Sequence, residues 1–161
     1  MSSHESEQHS YKIGRRRSDQ AFQLYTSQMA NMTKVIFAGD AGSGKTVAIR
    51  NMAGLPVHAR TTPTVGCVIH PWTRTVDIFD IGGRDVYSDL RKTYYSVDFA
   101  PIMYNYEANQ PIGRTKYHRT ICVLFGHNWR RWQDEISAIC PNATFVRFED
   151  IDSMSDYMES L

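Results

Sequence analysis

The residues best suited to chemistry form one short run, Gly39-Asp40-Ala41-Gly42-Ser43-Gly44-Lys45-Thr46. A glycine, four residues and then Gly-Lys-Thr is the spacing of a loop that cradles phosphates. Gly39, Gly42 and Gly44 allow successive backbone N–H groups to turn inward, and Ala41 and Ser43 add their own amides to that anion nest. A helix that starts at Lys45 would point the positive end of its dipole at the same place. Lys45 would reach the outer phosphates, and the Thr46 hydroxyl would bind Mg2+, an ion that keeps an octahedron of phosphate oxygens and waters. The chemistry expected is therefore binding of a nucleoside triphosphate with Mg2+.

Two further pieces complete such a site. Pro63-Thr64-Val65-Gly66 follows the loop, and Phe79-Asp80-Ile81-Gly82-Gly83 ends an apolar run. An aspartate at a strand end can hold Mg2+ through water. A glycine after it can offer its N–H to a terminal phosphate with no side chain in the way.

With these pieces the sequence resembles the small GTPase superfamily of Ras, Rab and Arf proteins. Thr61-Thr62-Pro63-Thr64-Val65-Gly66 looks like the first switch. Phe79-Asp80-Ile81-Gly82-Gly83-Arg84-Asp85 looks like the second, its double glycine closest to the Arf type, and Leu90-Arg91-Lys92-Thr93-Tyr94-Tyr95 sits where Arf-like proteins carry a similar segment. The resemblance covers residues 33–106 and implies roles. Thr64 would coordinate Mg2+ and sense the γ-phosphate, Asp80 would support the metal, and Gly83 would bond the γ-phosphate through its backbone. Loss of that phosphate would release both segments, which makes a GTP/GDP switch whose partners are effector or regulator proteins.

The sequence departs from the family at three places. Arg84 stands where the family has a glutamine that orients the attacking water. Arginine only donates hydrogen bonds, so hydrolysis is expected to be slow or absent. Arg84 either stabilises charge on the γ-phosphate, as an arginine supplied in cis does, with Lys45 as the other catalytic candidate, or points to solvent. The guanine-reading Asn-Lys-x-Asp motif, expected after the strand 120–125, is replaced by Gly126-His127-Asn128-Trp129-Arg130-Arg131. Asn128 is there to contact a base edge or to cap the next helix. Phe148-Glu149-Asp150 occupies the place of a later Ser-Ala-Lys-like loop, and before the first switch only Val57 and His58 stand where an aromatic would stack the base. Thirdly, residues 107–119 are short for a connection that the family makes through a full helix, so one crossover helix is expected to be reduced or lost.

The elements that must position these residues follow from periodicity. Strands are expected at 34–38, 67–70, 73–80, 101–106, 120–125 and 143–148, and helices at 46–53, 86–95, 128–140 and 153–160. Val86, Leu90 and Tyr94 form the apolar stripe of the second helix, and Trp129, Trp132, Ile136, Ile139 and Cys140 that of the third. The alternation predicts an α/β protein with a mostly parallel central sheet, a shortened P-loop three-layer sandwich spanning 33–161. Residues 1–32 are polar, with a basic knot at Arg15, Arg16 and Arg17, and are expected to be a flexible extension with a short helix at 20–29.

Composition narrows the class. With 161 residues, 42% of them hydrophobic and 22% charged, the chain can bury a core, and a formal net charge of +1 gives no reason to expect nucleic acid. The basic stretch Arg114, Lys116, Arg119, Arg130 and Arg131 reads as a solvated face or a partner surface. Cys67, Cys122 and Cys140 are too scattered for a disulfide framework or a zinc site and suit buried thiols in a reducing compartment. No apolar run is long enough to span a bilayer, residue 2 is Ser rather than a myristoylated glycine, and the last four residues lack a cysteine to prenylate. A cytoplasmic protein without membrane or lipid anchor is the expectation.

Overall fold

The computed structural model describes residues 32–57, 62–101, 104–105, 107–111 and 117–161. The extension 1–31 with its Arg knot and expected helix, His58, Thr61, Arg114 and Lys116 lie outside the described residues.

The order of elements is β1 (Thr33–Gly39), α1 (Lys45–Met52), β2 (Cys67–Pro71), β3 (Val76–Ile81), α2 (Ser88–Tyr95), β4 (Tyr104–Asn105), β5 (Gln110–Pro111), β6 (Arg119–Phe125), α3 (Trp129–Ser137), β7 (Thr144–Arg147) and α4 (Met154–Glu159). Five strands make the main sheet, in the order β2-β3-β1-β6-β7. β3 and β6 run parallel to β1, β7 runs parallel to β6, and β2 turns back antiparallel on β3 at the edge. The protein is thus α/β with a mostly parallel sheet, as periodicity predicts.

β1 lies in the middle, with all seven residues buried. That burial is why Val35–Ala38 reads as an unbroken apolar run rather than an alternating one. Its alternate side chains serve two cores. Val35 and Phe37 pack with Ala48 and Ile49 of α1 and Met158 of α4. Ile36 and Ala38 face Tyr95 of α2 and Trp132 and Ile136 of α3. Helices therefore cover both faces, and the loop 39–46 emerges at the carboxyl end of the parallel strands, the end where open α/β sheets gather their ligands.

Three expectations are corrected. The second helix is not one continuous amphipathic turn from 86. A 3-10 turn over Asp85–Tyr87 precedes α2 and shifts its phase, so Val86 is 79% exposed and Leu90 43% exposed, while Arg91 and Tyr95 face inward. The strand expected at 101–106 does not join the sheet. Among the described residues, Tyr104–Asn105 pairs with Gln110–Pro111 in a separate antiparallel hairpin, and β6 lies directly beside β1. Among the described residues of 107–119 the main sheet has one strand, β6, and no helix, so the short connection there is not seen to join two strands of that sheet. The helical crossover is α3, which joins β6 to β7.

Lys34 is the least expected core residue. It is fully buried in β1, and its ammonium donates to the carbonyls of Tyr94 at 3.0 Å, Ser96 at 3.1 Å and Phe99 at 3.0 Å. These oxygens lie at and beyond the C-terminal end of α2, where helix carbonyls lack partners and a cation is favoured. The rings of Phe79, Phe99 and Tyr117 surround the same nitrogen at 4.8 to 5.4 Å. Burial pulls the Lys34 ammonium down to about 8, with nearby Cys140, Cys67 and Cys122 opposing it.

Candidate functional site

The turn from β1 into α1 is built by positive φ. Gly42 stands at 77° and Gly44 at 100°, backbone that L side chains rarely adopt. Lys45 opens the helix but is itself buried, and its Nζ bends back over the loop. It donates to Gly39 O at 2.8 Å and Asp40 O at 2.9 Å, with Ser43 Oγ farther away at 3.4 Å. Two protons of the ammonium are well used, and the third is poorly used, so one donor can turn to an incoming anion. Burial holds the Lys45 ammonium below its usual range, and the carboxylates of Asp80 and Asp40 push the other way.

Beside the loop, Thr46, Thr64 and Asp80 converge. Thr46 Oγ1 donates to Asp80 Oδ2 at 2.7 Å and lies 3.0 Å from Thr64 Oγ1, which is itself 3.3 Å from Asp80 Oδ2. The three come from α1, from the segment before β2 and from β3. Asp80 is 1% exposed, and its second oxygen, Oδ1, has no hydrogen-bond partner. A buried carboxylate oxygen without a donor is costly, and a metal-bound water is one group that would satisfy it. The donor set of two hydroxyls and a carboxylate is all hard oxygen, which suits Mg2+ shared with phosphate oxygens. Among the described residues there is no group of three His, Cys, Asp or Glu that would hold a metal by protein ligands alone.

The cleft over this cluster is open to solvent and is lined by residues 41–47, 62–64 and 82–83. The double glycine is required by proximity. A Cβ on Gly82 would stand 2.6 Å from Thr64 O, and one on Gly83 would strike Gly39 O and come within 2.6 Å of Ala41 N. The segment after β3 is thus seated on the loop backbone itself. Gly82 N–H also donates to Gly66 O at 2.7 Å, tying the 62–66 and 82–84 segments together.

Of the residues expected from sequence, Gly39, Ala41, Gly42, Ser43, Gly44, Lys45, Thr46, Thr64, Asp80 and Gly83 are brought together here. Arg84 is not; its side chain is exposed. Asn128 holds the N-cap position of α3, but its side chain makes no cap bond. Its amide instead donates to Asp40 Oδ2 at 2.7 Å, and the Trp132 indole N–H donates to Asp40 Oδ1 at 3.0 Å. The second residue of the loop is therefore held from α3. Of the basic stretch, Arg119 bonds Thr33 Oγ1 and Leu161 O, Arg131 pairs with Asp85, and Arg130 lies over the Trp129 ring.

Sequence reasoning missed Arg91. It is 2% exposed. Its Nε and Nη2 donate to Glu135 Oε1 at 3.3 and 3.0 Å, and its Nη1 reaches Arg84 O at 2.5 Å and Gly82 O at 3.4 Å. Its guanidinium stacks 4.6 Å from the Trp132 ring, and Tyr95 OH donates to Glu135 Oε2. The signal was the stripe position: Arg91 and Tyr95 are four residues apart, as one buried helical face requires.

The exit of β6, where a base-reading motif was sought, leads into α3. Because α3 is the crossover, the strand that follows a crossover helix is β7, and it ends in Arg147-Phe148-Glu149-Asp150. Neither exit carries Asn-Lys-x-Asp. Phe148 stacks on Phe125 with ring centres 4.4 Å apart, and Glu149 pairs with Arg147.

No protein-family model matches this chain, and no curated protein matches its sequence. Among the described residues no helix is long and apolar enough to cross a membrane.

Proposed function

We propose that the chain binds a nucleoside triphosphate with Mg2+ in the cleft between the 39–46 loop and the 62–64 and 82–83 segments, as a small GTPase-like switch protein with GTP and GDP as its nucleotides. The observation that carries this reading is the convergence of Thr46, Thr64 and Asp80 beside Lys45, with Asp80 Oδ1 buried and unpartnered. Bound Mg2+ would neutralise phosphate charge and order the triphosphate. The glycine-rich backbone and Lys45 would hold the phosphates, Thr46 and Thr64 would give hydroxyl oxygens to the metal, Asp80 would hold its waters, and Gly83 would meet the terminal phosphate. A P-loop three-layer sandwich is the fold assignment that goes with this site.

Hydrolysis in this reading is slow. Arg84 is exposed and presents no acceptor to orient a water. A second reading follows from the same residue together with the lack of an Asn-Lys-x-Asp motif at either strand exit. In it the chain is a pseudo-GTPase, a protein-interaction module that is locked in one nucleotide state or independent of nucleotide.

Denaturing the purified protein and identifying the released nucleotide tests the first reading. GTP or GDP supports it, an adenine nucleotide refutes the guanine assignment, and an empty protein that binds neither nucleotide with Mg2+ refutes nucleotide binding altogether. Single-turnover GTP hydrolysis by the wild type and by Arg84→Gln then separates a slow enzyme from a pseudoenzyme, since turnover in neither form leaves only the second reading.

A further inference from the structure

Arg91 joins three parts of the molecule. One side of its guanidinium is held by Glu135 of α3. Another edge binds the carbonyls of Gly82 and Arg84, on either side of Gly83. Its face lies on Trp132, whose indole N–H holds Asp40 of the loop. A buried guanidinium is tolerated only when its charge is paired and its donors are used, and both conditions are met here. The fork geometry matters, because a planar group spreads its donors over separate edges and holds the acid on one and the carbonyls on another, whereas a lysine gathers its three donors on a single nitrogen.

We infer that Arg91 is a positioning residue: it fastens the Gly82–Arg84 turn, and with it Gly83, against the Gly39–Ala41 backbone through bonds internal to the protein, so the turn keeps its shape whether or not a terminal phosphate is present. The inference rests on the proposed function, in which the segment after Asp80 meets that phosphate, and narrows it: this segment is not among the parts that phosphate loss releases. A turn held by the phosphate alone would be released when the phosphate leaves. A turn held by Arg91 stays, and Gly83 presents the same surface with a diphosphate as with a triphosphate.

Amide hydrogen exchange tests this, read at Gly82 N–H and Tyr87 N–H, which bond Gly66 O and Arg84 O and close the turn. The variant is Arg91→Met with Glu135→Gln, which removes both charges of the pair while leaving an acceptor for Tyr95. In the ligand-free protein, exchange at these two amides is expected to rise roughly tenfold or more, with β1 amides unchanged, as local opening without global unfolding requires. With Mg2+ and a non-hydrolysable GTP analogue or GDP, the wild type is expected to give the same exchange at both amides. The variant is expected to regain protection with the triphosphate only.

Unchanged exchange in the ligand-free variant would overturn the inference, as would wild-type amides that differ between the two nucleotides. If the double variant does not fold, Arg91→Lys replaces it. That variant keeps the charge without the fork and is expected to show the same local opening. A fluorescence titration with labelled GTP runs in parallel. Failure to bind there refutes the proposed function and leaves the ligand-free comparison to decide the role of Arg91.

Discussion

Thr46 Oγ1 lies 2.7 Å from Asp80 Oδ2, so the first turn of α1 and the end of β3 share one hydrogen bond across 34 residues of sequence. The bond aims one carboxylate oxygen at the helix and leaves the other buried and without a donor. Asp80 is then better placed to order waters around an ion than to coordinate it.

Asp80→Asn should therefore weaken Mg2+ more than nucleotide. Groups that act on a metal through its waters usually contribute about 10- to 100-fold in affinity. The expected result is a rise of that order in the Mg2+ concentration needed to saturate triphosphate binding, with a much smaller change in binding without Mg2+. Titrating Mg2+ against labelled nucleotide reads both.

Gly83→Ala and Gly42→Ala should fail for different reasons. At Gly83 the added methyl meets loop backbone, which cannot step aside. A loss of about 1–3 kcal/mol is expected, as for overpacking, together with loss of triphosphate binding. At Gly42 nothing lies within 4 Å of an added Cβ, and the cost comes from φ at 77°. It should be roughly 1–2 kcal/mol of left-handed backbone strain. Denaturant unfolding of the two variants checks the stabilities.

Lys34 should give the fold a rising stability in alkali. Its folded value near 8 lies below the ordinary 10.5, so between those pH values the unfolded chain still holds a proton that the folded chain has released. Stability then increases with pH through that window, at up to about 1.4 kcal/mol per unit. Below pH 8 the cost of burying the charge is constant. Cys67, pushed up to about 12 by burial, acts in the opposite sense; the Lys34 charge opposes that push, so the thiol acts no less strongly when Lys34 is replaced. The difference in unfolding free energy between wild type and Lys34→Met, measured from pH 7 to 10.5, is expected to move in favour of the wild type.

Trp132→Phe removes one donor from Asp40 and keeps an aromatic ring under Arg91. Loss of about 1–3 kcal/mol is expected for a carboxylate bond broken beside a buried partner. Nucleotide affinity should fall with it, because Asp40 of the loop loses one of the two donors that hold it from the α3 side. Comparing thermal unfolding with the nucleotide dissociation constant tests whether the two losses go together.

The loop and its two companions were legible because each depends on local spacing: glycines at fixed offsets, a threonine after a proline, an aspartate closing an apolar run. The strands of the sheet were legible for the same reason, and β1 most clearly, since burial on both faces removes polar residues almost entirely. Lys34 and Arg91 hid behind a sound habit, that a charge in a strand or helix faces water. Each instead meets an acid or carbonyls more than 40 residues away in sequence, or at a helix end that only folding brings near. The phase of α2 was misread because a single 3-10 turn rotated every following side chain, turning Val86 and Leu90 outward. The strand expected at 101–106 does not reveal from sequence that Tyr104–Asn105 pairs in a hairpin, because short apolar runs do not declare their partners.

Asp40, Asn128 and Trp132 are the feature with the widest consequence. Two donors from one helix converge on one carboxylate in the loop, and each would be left with an unmet partner if the acid changed alone. The three positions should therefore be inherited as a set. In a lineage of related chains, loss of the acid at the loop position is expected to accompany loss of the tryptophan and the asparagine on the helix. Drift at the neighbouring exposed positions 127 and 130 should carry no such linkage.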